Sequence, residues 1–431
     1  MSVAPSADAS LPRRLILNRN FVLLWAAYGI SALGDHLSEM ALLRTVGGLE
    51  RPDVTRVQAL MTFCFFAPFV VLGPVAGWWA DRFSRRGTMI AADLARAAVM
   101  ITLPYTVPRL LGWGLGDFAA TLPLAVTGAF AAFFSPARQA LLPTLIRPAH
   151  LVRANALISG LGTIGAILSA IIGGWLVDLH HDGKLHLEWN YRLDALTFLV
   201  SAALLWAMAL HGARAAPHAI TPGVWTPLRE GFAYVLQHRR ILQIILLGTV
   251  FWAAAGVVIS IVPAIVRDVF GGQYSDAGLY RGLIAAGIAI GSAVLTVLGH
   301  RARLQPVVLV GVLGGAAWML ALDAAVWWKL GRLFTGLCLF MIGMHGAGIL
   351  VSVMVVIQRF VPDNRRGRVF GVSDMTTMGA IVASTGLLGL PHIPQLDRYI
   401  PLLIGLTAAG LLAAGAVSAW IYTAGARRRA A

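Results

Sequence analysis

Apolar runs of about twenty or more residues, separated by short segments bearing Arg, Pro and Gly, recur along the whole chain. A helix needs about 20 apolar residues to cross about 30 Å of hydrocarbon. Twelve segments meet that need: 21–45, 57–80, 87–107, 118–137, 154–177, 193–212, 241–265, 279–299, 306–327, 333–357, 369–390 and 400–423. The pattern predicts an all-α integral membrane protein with twelve transmembrane helices. The first run, from Phe21 to about Val46, is too long for a signal-peptide core and holds Asp35 and Glu39, so it reads as an uncleaved span.

The longest polar connection separates the sixth and seventh runs and reads as a linker followed by an amphipathic helix. The predicted organisation is an N-tail (1–20), a six-helix bundle (21–212), the linker (213–240), a second six-helix bundle (241–423) and a basic tail (424–431). An internal repeat supports the division. Arg82 and Arg301, Gln139 and Gln358, Pro143 and Pro362, and Arg147 and Arg366 are all separated by one and the same offset, and Gln-x-x-x-Pro closes the fourth span of both halves. Parallel six-helix repeats imply a transporter with its cavity at their interface.

Composition excludes other classes. Of 431 residues, 58% are hydrophobic and 12% charged, against about 25% charged in soluble proteins, so a soluble enzyme is excluded. The net charge of +15 would suggest a nucleic-acid partner in a soluble chain, but here the basic residues lie in loops between apolar runs. With both termini on one face, that face carries 22 basic residues, the other carries 11, and Arg96 alone sits in a span. The excess predicts that both termini are cytoplasmic, and no nucleic acid is expected as a partner. Cys64 and Cys338 lie in apolar runs with no ligand cluster nearby, so no metal site is predicted; His180, His181, Asp182 and His186 read as a hydrated loop. No Gly-Lys-Ser/Thr phosphate loop is present, so no nucleotide cofactor and no catalytic residue are expected.

Gly77-Trp78-Trp79-Ala80-Asp81-Arg82-Phe83-Ser84-Arg85-Arg86, between the second and third spans, resembles the loop signature Gly-x-x-x-Asp-Arg-x-Gly-Arg-Arg of the major facilitator superfamily, with Ser84 in place of the second glycine. Phe133-Phe134-Ser135-Pro136-Ala137-Arg138-Gln139-Ala140-Leu141-Leu142-Pro143, followed by Asn155, resembles the branch that holds siderophore and macrolide exporters, with lysophospholipid transporters nearby. The resemblance implies the major facilitator fold, two pseudo-symmetric six-helix bundles. It also implies a cytoplasmic gate of Gly77, Asp81, Arg82, Arg85, Arg86 and Asp374. In that gate Asp81 would face the positive end of the eleventh span, near Val369, when the cytoplasmic mouth is shut. The bland reading of the same loop is a topogenic cluster. In the fifth span Ala156, Gly165, Ser169-Ala170 and Gly173-Gly174 fall at the spacing of an antiporter motif whose proline is missing, so a helix-packing hinge at Gly165, Ser169, Gly173 and Gly174 stands beside ordinary small-residue packing.

A charge inside a span costs several kcal/mol unless paired or wet, so each is a functional candidate. Asp35 and Glu39 are spaced i, i+4 and would share a helix face and a proton; His36 would point about 100° away from Asp35 and pack or bind water. The competing reading leaves only Asp35 buried, with Glu39 at the interface beside Arg44. Asp93 and Arg96, at i, i+3, form an expected intramembrane pair, unless Arg96 instead faces Asp35 or an anionic substrate. Asp194 and Asp323, near span ends, are expected to be hydrated. Met344, His345 and Met354 with Phe63, Phe65 and Phe66 either pack or line an apolar cavity.

The expected function is secondary transport in a bacterial-type inner membrane, exporting a small or amphipathic molecule by proton antiport, with Asp35, Glu39 and Arg96 as coupling residues and the proton gradient in place of a cofactor. The expected partners are the substrate and membrane lipid, and the expected state is a monomer. A lysophospholipid flippase and a non-transporting scaffold or sensor are the competing readings.

Overall fold

The structure, a computed structural model, describes residues 18–147, 150–209, 225–298, 304–390, 393 and 396–430. The first half comprises α1 (Arg19–Gly34), α2 (Leu37–Thr45), α3 (Val54–Arg82), α4 (Arg85–Gly112), α5 (Gly116–Leu145), α6 (Leu151–His181) and α7 (Glu188–Trp206). A short helix α8 (Trp225–Gln237) precedes α9 (Arg239–Phe270), α10 (Tyr274–Leu298), α11 (Leu304–Trp327), α12 (Arg332–Phe360), α13 (Asp363–Gly389), a 3-10 turn (Leu396–Tyr399) and α14 (Ile400–Ala430). Among the described residues nine helices are long and apolar enough to cross a membrane. The α1–α2 pair, α7 and α13 lie outside that set, because α1 and α2 are individually short while α7 and α13 bear more polar residues. The twelve-span pattern is consistent with this arrangement.

Side-chain caps fix which helix ends lie together. Asn18 accepts from the amide of Phe21 (3.1 Å) to start α1 and donates to the Leu145 carbonyl (2.6 Å) at the end of α5. Asn20 bonds the backbone of Ala209, just past α7, in both directions at 3.0 Å. The start of α1 and the ends of α5 and α7 thus share one face, here the termini face. Val54, Gly116, His181 and Tyr274 terminate their helices at the opposite mouth, as the ion pairs described below require. Between the halves, α3 packs on α13 and α6 on α10.

These two crossings are related by the repeat seen in the sequence. A Cβ on Gly278 of α10 would run into the Ala170 carbonyl oxygen of α6, and a Cβ on Gly389 of α13 would sit 2.8 Å from the Leu60 amide and 3.2 Å from the Ala59 carbonyl carbon of α3. Ala59 and Gly278 are separated by the repeat offset that relates Arg82 to Arg301, as are Ala170 and Gly389. Glycine at each crossing lets backbones touch. Eighteen residues away, about five turns at 3.6 per turn, Gly77 and Gly371 occupy the same faces of α3 and α13 as Ala59 and Gly389. Among the described residues, a Cβ at either would meet nothing within 4 Å. The helices that touch at the opposite mouth have therefore diverged at the termini face, and the mouth opposite the termini is the closed one.

Several span boundaries differ from the sequence expectation. The first span is broken at Asp35–His36 into α1 and α2. The fourth runs on through Pro136 and Pro143 to Leu145, because proline is tolerated where neighbouring helices and side chains satisfy the freed carbonyls. Arg138 consequently lies inside α5, with its guanidinium 4.3 Å from the Tyr28 ring, and Arg281 lies inside α10. Arg96 is thus not the one basic residue within a span. The predicted basic tail 424–431 continues α14 as far as Ala430. Of the linker, α8 is described, with Gly231, Tyr234 and Val235 buried and Trp225 and Leu236 exposed, while 210–224 lie outside the described residues, as do Arg301 and most of the N-tail.

Candidate functional site

The break in the first span builds the site. Two helix ends at Gly34 and Leu37 leave backbone groups without intrahelical partners, and Ser169 of α6 satisfies one of them by accepting from the His36 amide at 3.2 Å. Gly165, Ser169 and Gly173 all lie against this first span: a Cβ on Gly165 would meet Ala32 at 3.1 Å, and one on Gly173 the Leu37 carbonyl at 2.9 Å. Gly174 instead faces Tyr274 of the other half.

At the break Asp35 and Glu39 part company. Arg96, with a side chain only 2% exposed, donates to Asp35 at 3.0 Å and to Ser31 at 3.0 Å, and is ion-paired to Asp93. The two readings of Arg96 are therefore realised together. Its guanidinium lies 4.3 Å from the Phe198 ring and 5.0 Å from that of Phe134. Asp93 is fully buried and accepts from Ser201 of α7 at 2.6 Å. Asp35 is 32% exposed and forms the open end of this chain of groups.

Glu39 faces the other half. Its carboxylate receives Arg281 of α10 at 2.7 Å and Gln58 of α3 at 2.8 Å, and His36 lies 3.2 Å away. The expectation of a proton shared by Asp35 and Glu39 is corrected, because the helix break turns them toward different cations. His36 faces Glu39.

Sequence reasoning placed Asp194 in water. It is 2% exposed, hydrogen-bonded by Ser38, and its Oδ1 is buried with no hydrogen-bond partner among the described residues. A Cβ on Gly34 would lie 2.6 Å from that oxygen, so the break residue must be small. Asp323 is half-buried, and its Oδ1 has no hydrogen-bond partner among the described residues. No local signal in the sequence marks Asp194 as buried, because its partner Ser38 comes from α2.

At the loop signature, Ser84 accepts from the Gly87 amide at 3.1 Å and so N-caps α4, which accounts for serine where the signature has glycine. Arg85 donates to the Ala140 carbonyl at 2.8 Å, Arg86 bonds the last carbonyl of α7 at Trp206, and Arg82 stacks 4.1 Å from Trp78. Arg85 and Arg86 thereby tie α4 to the C-terminal parts of α5 and α7 in the same half. Asp81 lies in the last turn of α3 and its side chain is outside the described residues. Asp374 is exposed but lies eleven residues into α13, about 16 Å along at 1.5 Å per residue, because that helix starts at Asp363 rather than near Val369. It is deeper than expected. Phe63 packs on Gly386, and His345 bonds the Met341 carbonyl at 2.8 Å and abuts Gly314, both as packing groups, whereas Met354 is exposed.

The closed mouth holds its own charge network. Arg51 grips Asp117 of α5 through both oxygens (2.7 and 2.9 Å) and Asp53 likewise (2.9 and 3.1 Å), and Arg56 pairs with the same two acids. Burial raises the Asp53 carboxyl, but hydrogen bonds from Arg51 and Arg56 outweigh it and hold the group below its usual value. From the other half Arg267 pairs with Asp397 at 3.0 Å and donates to the Arg51 carbonyl.

Residues 20–386 match the family model described as Major Facilitator Superfamily. The chain belongs to the major facilitator superfamily. The transporter is 26% identical over 377 residues to an uncharacterized MFS-type transporter, YfiS, of Bacillus subtilis, covering 85% of this chain and 86% of that protein. It is 22% identical to macrolide efflux protein A of Streptococcus pyogenes (65% of this chain, 67% of that protein) and 28% identical to multidrug resistance protein MdtH of Salmonella typhi (63% and 62%). In fold it is similar to a peptide transporter POT in complex with sulfate (TM-score 0.74, 14% identity, 96% and 97% covered). It also resembles a bacterial homologue of the iron transporter ferroportin in an inward-facing state (TM-score 0.68, 16% identity, 94% and 98% covered). The transporter is thus a multi-pass membrane protein of a non-enzymatic family with efflux proteins among its relatives.

Proposed function

We propose that the transporter exports a small or amphipathic molecule across a bacterial inner membrane by proton antiport, with both termini in the cytoplasm, as a monomer, and by rocking its two halves about the site at the first-span break. The observation that carries this reading is the Asp35–Arg96–Asp93 chain beside Asp194. Arg96 pairs with both Asp35 and Asp93, and Asp194 is buried on the neighbouring α7, so carboxylates outnumber the cation and an uncompensated charge there would cost several kcal/mol. Asp35, at the exposed end of this chain, is the group we assign to proton exchange. A substrate bearing a cation would compete with Arg96 for Asp35, linking its departure to proton entry. The efflux proteins among the relatives support export, and the divergence of α3 and α13 supports access from the termini face.

The test is proton flux in everted vesicles challenged with macrolides, siderophores, cationic dyes and lysolipids, beside an Asp35→Asn variant. Proton release elicited by one class and lost in the variant is the expected result. Lysolipid movement indifferent to the proton gradient would replace antiport with flipping, and silence toward every class would favour the scaffold reading.

A further inference from the structure

At the closed mouth, each half presents an aspartate to the first turn of a helix in the other half. Asp178, in the last turn of α6, accepts from the Tyr274 and Ser275 amides at the start of α10, both at 2.9 Å. Asp397, in the 3-10 turn after α13, accepts from the Val54 and Thr55 amides at the start of α3, at 3.1 and 3.2 Å. Asp178 and Asp397 are separated by the offset of the internal repeat, and their targets correspond to within one position. Both carboxylates are buried. A helix N-terminus leaves its first amides unpaired and carries a partial positive charge, so a carboxylate there gains two charge-assisted hydrogen bonds and a favourable dipole interaction.

The cap does not come from the local chain. Asp53 occupies the N-cap position of α3 yet makes no capping bond, because Arg51 and Arg56 hold its carboxylate. The first amides of α3 are thereby left for Asp397, at the far end of the sequence. A cap serving the helix alone would be supplied from its own half. These two are supplied across the interface that must part if the mouth opens, next to the glycine crossings at Gly278 and Gly389.

We infer that Asp178 and Asp397 are positioning residues of the transport cycle: a symmetry-related pair of latches, each holding the first turn of the opposite half's helix, that make the closed mouth the favoured state and release together when it opens. The inference rests on the alternating-access reading but not on any substrate or on proton coupling. Asp397 has Arg267 as an additional partner at 3.0 Å, so the two latches share geometry and differ in strength.

The test is a distance measurement between spin labels at Lys184→Cys in the first half and Trp328→Cys in the second, both exposed at this mouth and outside the latches, in the full-length protein in lipid nanodiscs. Asp178→Asn and Asp397→Asn keep the side-chain shape but lose the charge and one acceptor. Each is expected to lower the closed-to-open ratio by about tenfold, in line with charge-assisted hydrogen bonds, and the double variant by more than either. Melting is followed on the same samples. A lower melting temperature with an unchanged distance distribution would assign the two carboxylates to structural capping and overturn the inference. So would a folded double variant that stays as closed as the parent. Failure of proton flux with a shift in the distances intact would count against antiport alone.

Discussion

Removal of Arg281 tests whether the two halves are held by a buried pair. Arg281 and Glu39 have side chains 9% and 18% exposed and meet at 2.7 Å across the interface of α10 and α2. With so little solvent, salt screens the pair weakly, and loss of one partner leaves an uncompensated buried charge, a defect of about 3–5 kcal/mol. Glu39 retains Gln58 at 2.8 Å and His36 at 3.2 Å, so Arg281→Met is expected at the lower end, about 3 kcal/mol. Glu39→Gln in the same chain removes the stranded charge and should recover about 2 kcal/mol of that loss, while Glu39→Gln alone strands the Arg281 cation, so the two positions are strongly coupled. Equilibrium unfolding in mixed micelles of the parent, both single variants and the double variant measures this. The coupling should change little between low and high salt. If the double variant loses the sum of the two single losses, or Arg281→Met costs under about 1 kcal/mol, the pair is a surface-type contact and the reasoning fails.

Two further outcomes follow from the closed mouth. Gly278→Val and Gly389→Val would force side chains into the Ala170 carbonyl and the Leu60 amide, at an overpacking cost of about 1–3 kcal/mol. Thiol labelling of a cysteine placed in the mouth should rise in both, and unchanged labelling in well-folded variants would refute the crossing as a contact of the closed state. Acid should weaken the Asp53 network in one direction only. Its carboxyl is held below the usual value, so its contribution is present above about pH 3.9 and is lost as pH falls through the lowered value. The melting difference between the parent and Asp53→Asn should therefore be full at neutral pH and vanish in strong acid; a difference that grows on acidification would contradict the sign.

Much of the fold was legible. Apolar runs of spanning length, the charge-bearing loops and the constant-offset repeat pointed to a helical membrane protein of two like halves, because the hydrocarbon thickness dictates run length and a duplicated half retains its spacing. The loop signature pointed to the family, and the scarcity of intramembrane charge drew Asp35, Glu39, Asp93 and Arg96 into one short list. The Arg96–Asp93 contact was readable since an i, i+3 spacing on a helix brings side chains together.

What the sequence could not give was any partner chosen across distance. Periodicity assumed an unbroken first helix, so it placed Asp35 and Glu39 on one face; the break at His36 sends one to Arg96 and the other to Arg281 in the second half. Asp194 looked wet because it stood near the end of an apolar run, yet α1, α2 and α4 close over it. The match between Asp178 and Asp397 is present in the sequence as a spacing, but a spacing does not say that each carboxylate meets the other half's helix. Local pattern determined which segments are helices and which halves are alike, since those depend on neighbours a few residues apart. The tertiary structure decided which charges neutralise one another and which mouth is shut, since buried charges take whatever cation or amide the packing of distant helices brings within about 3 Å.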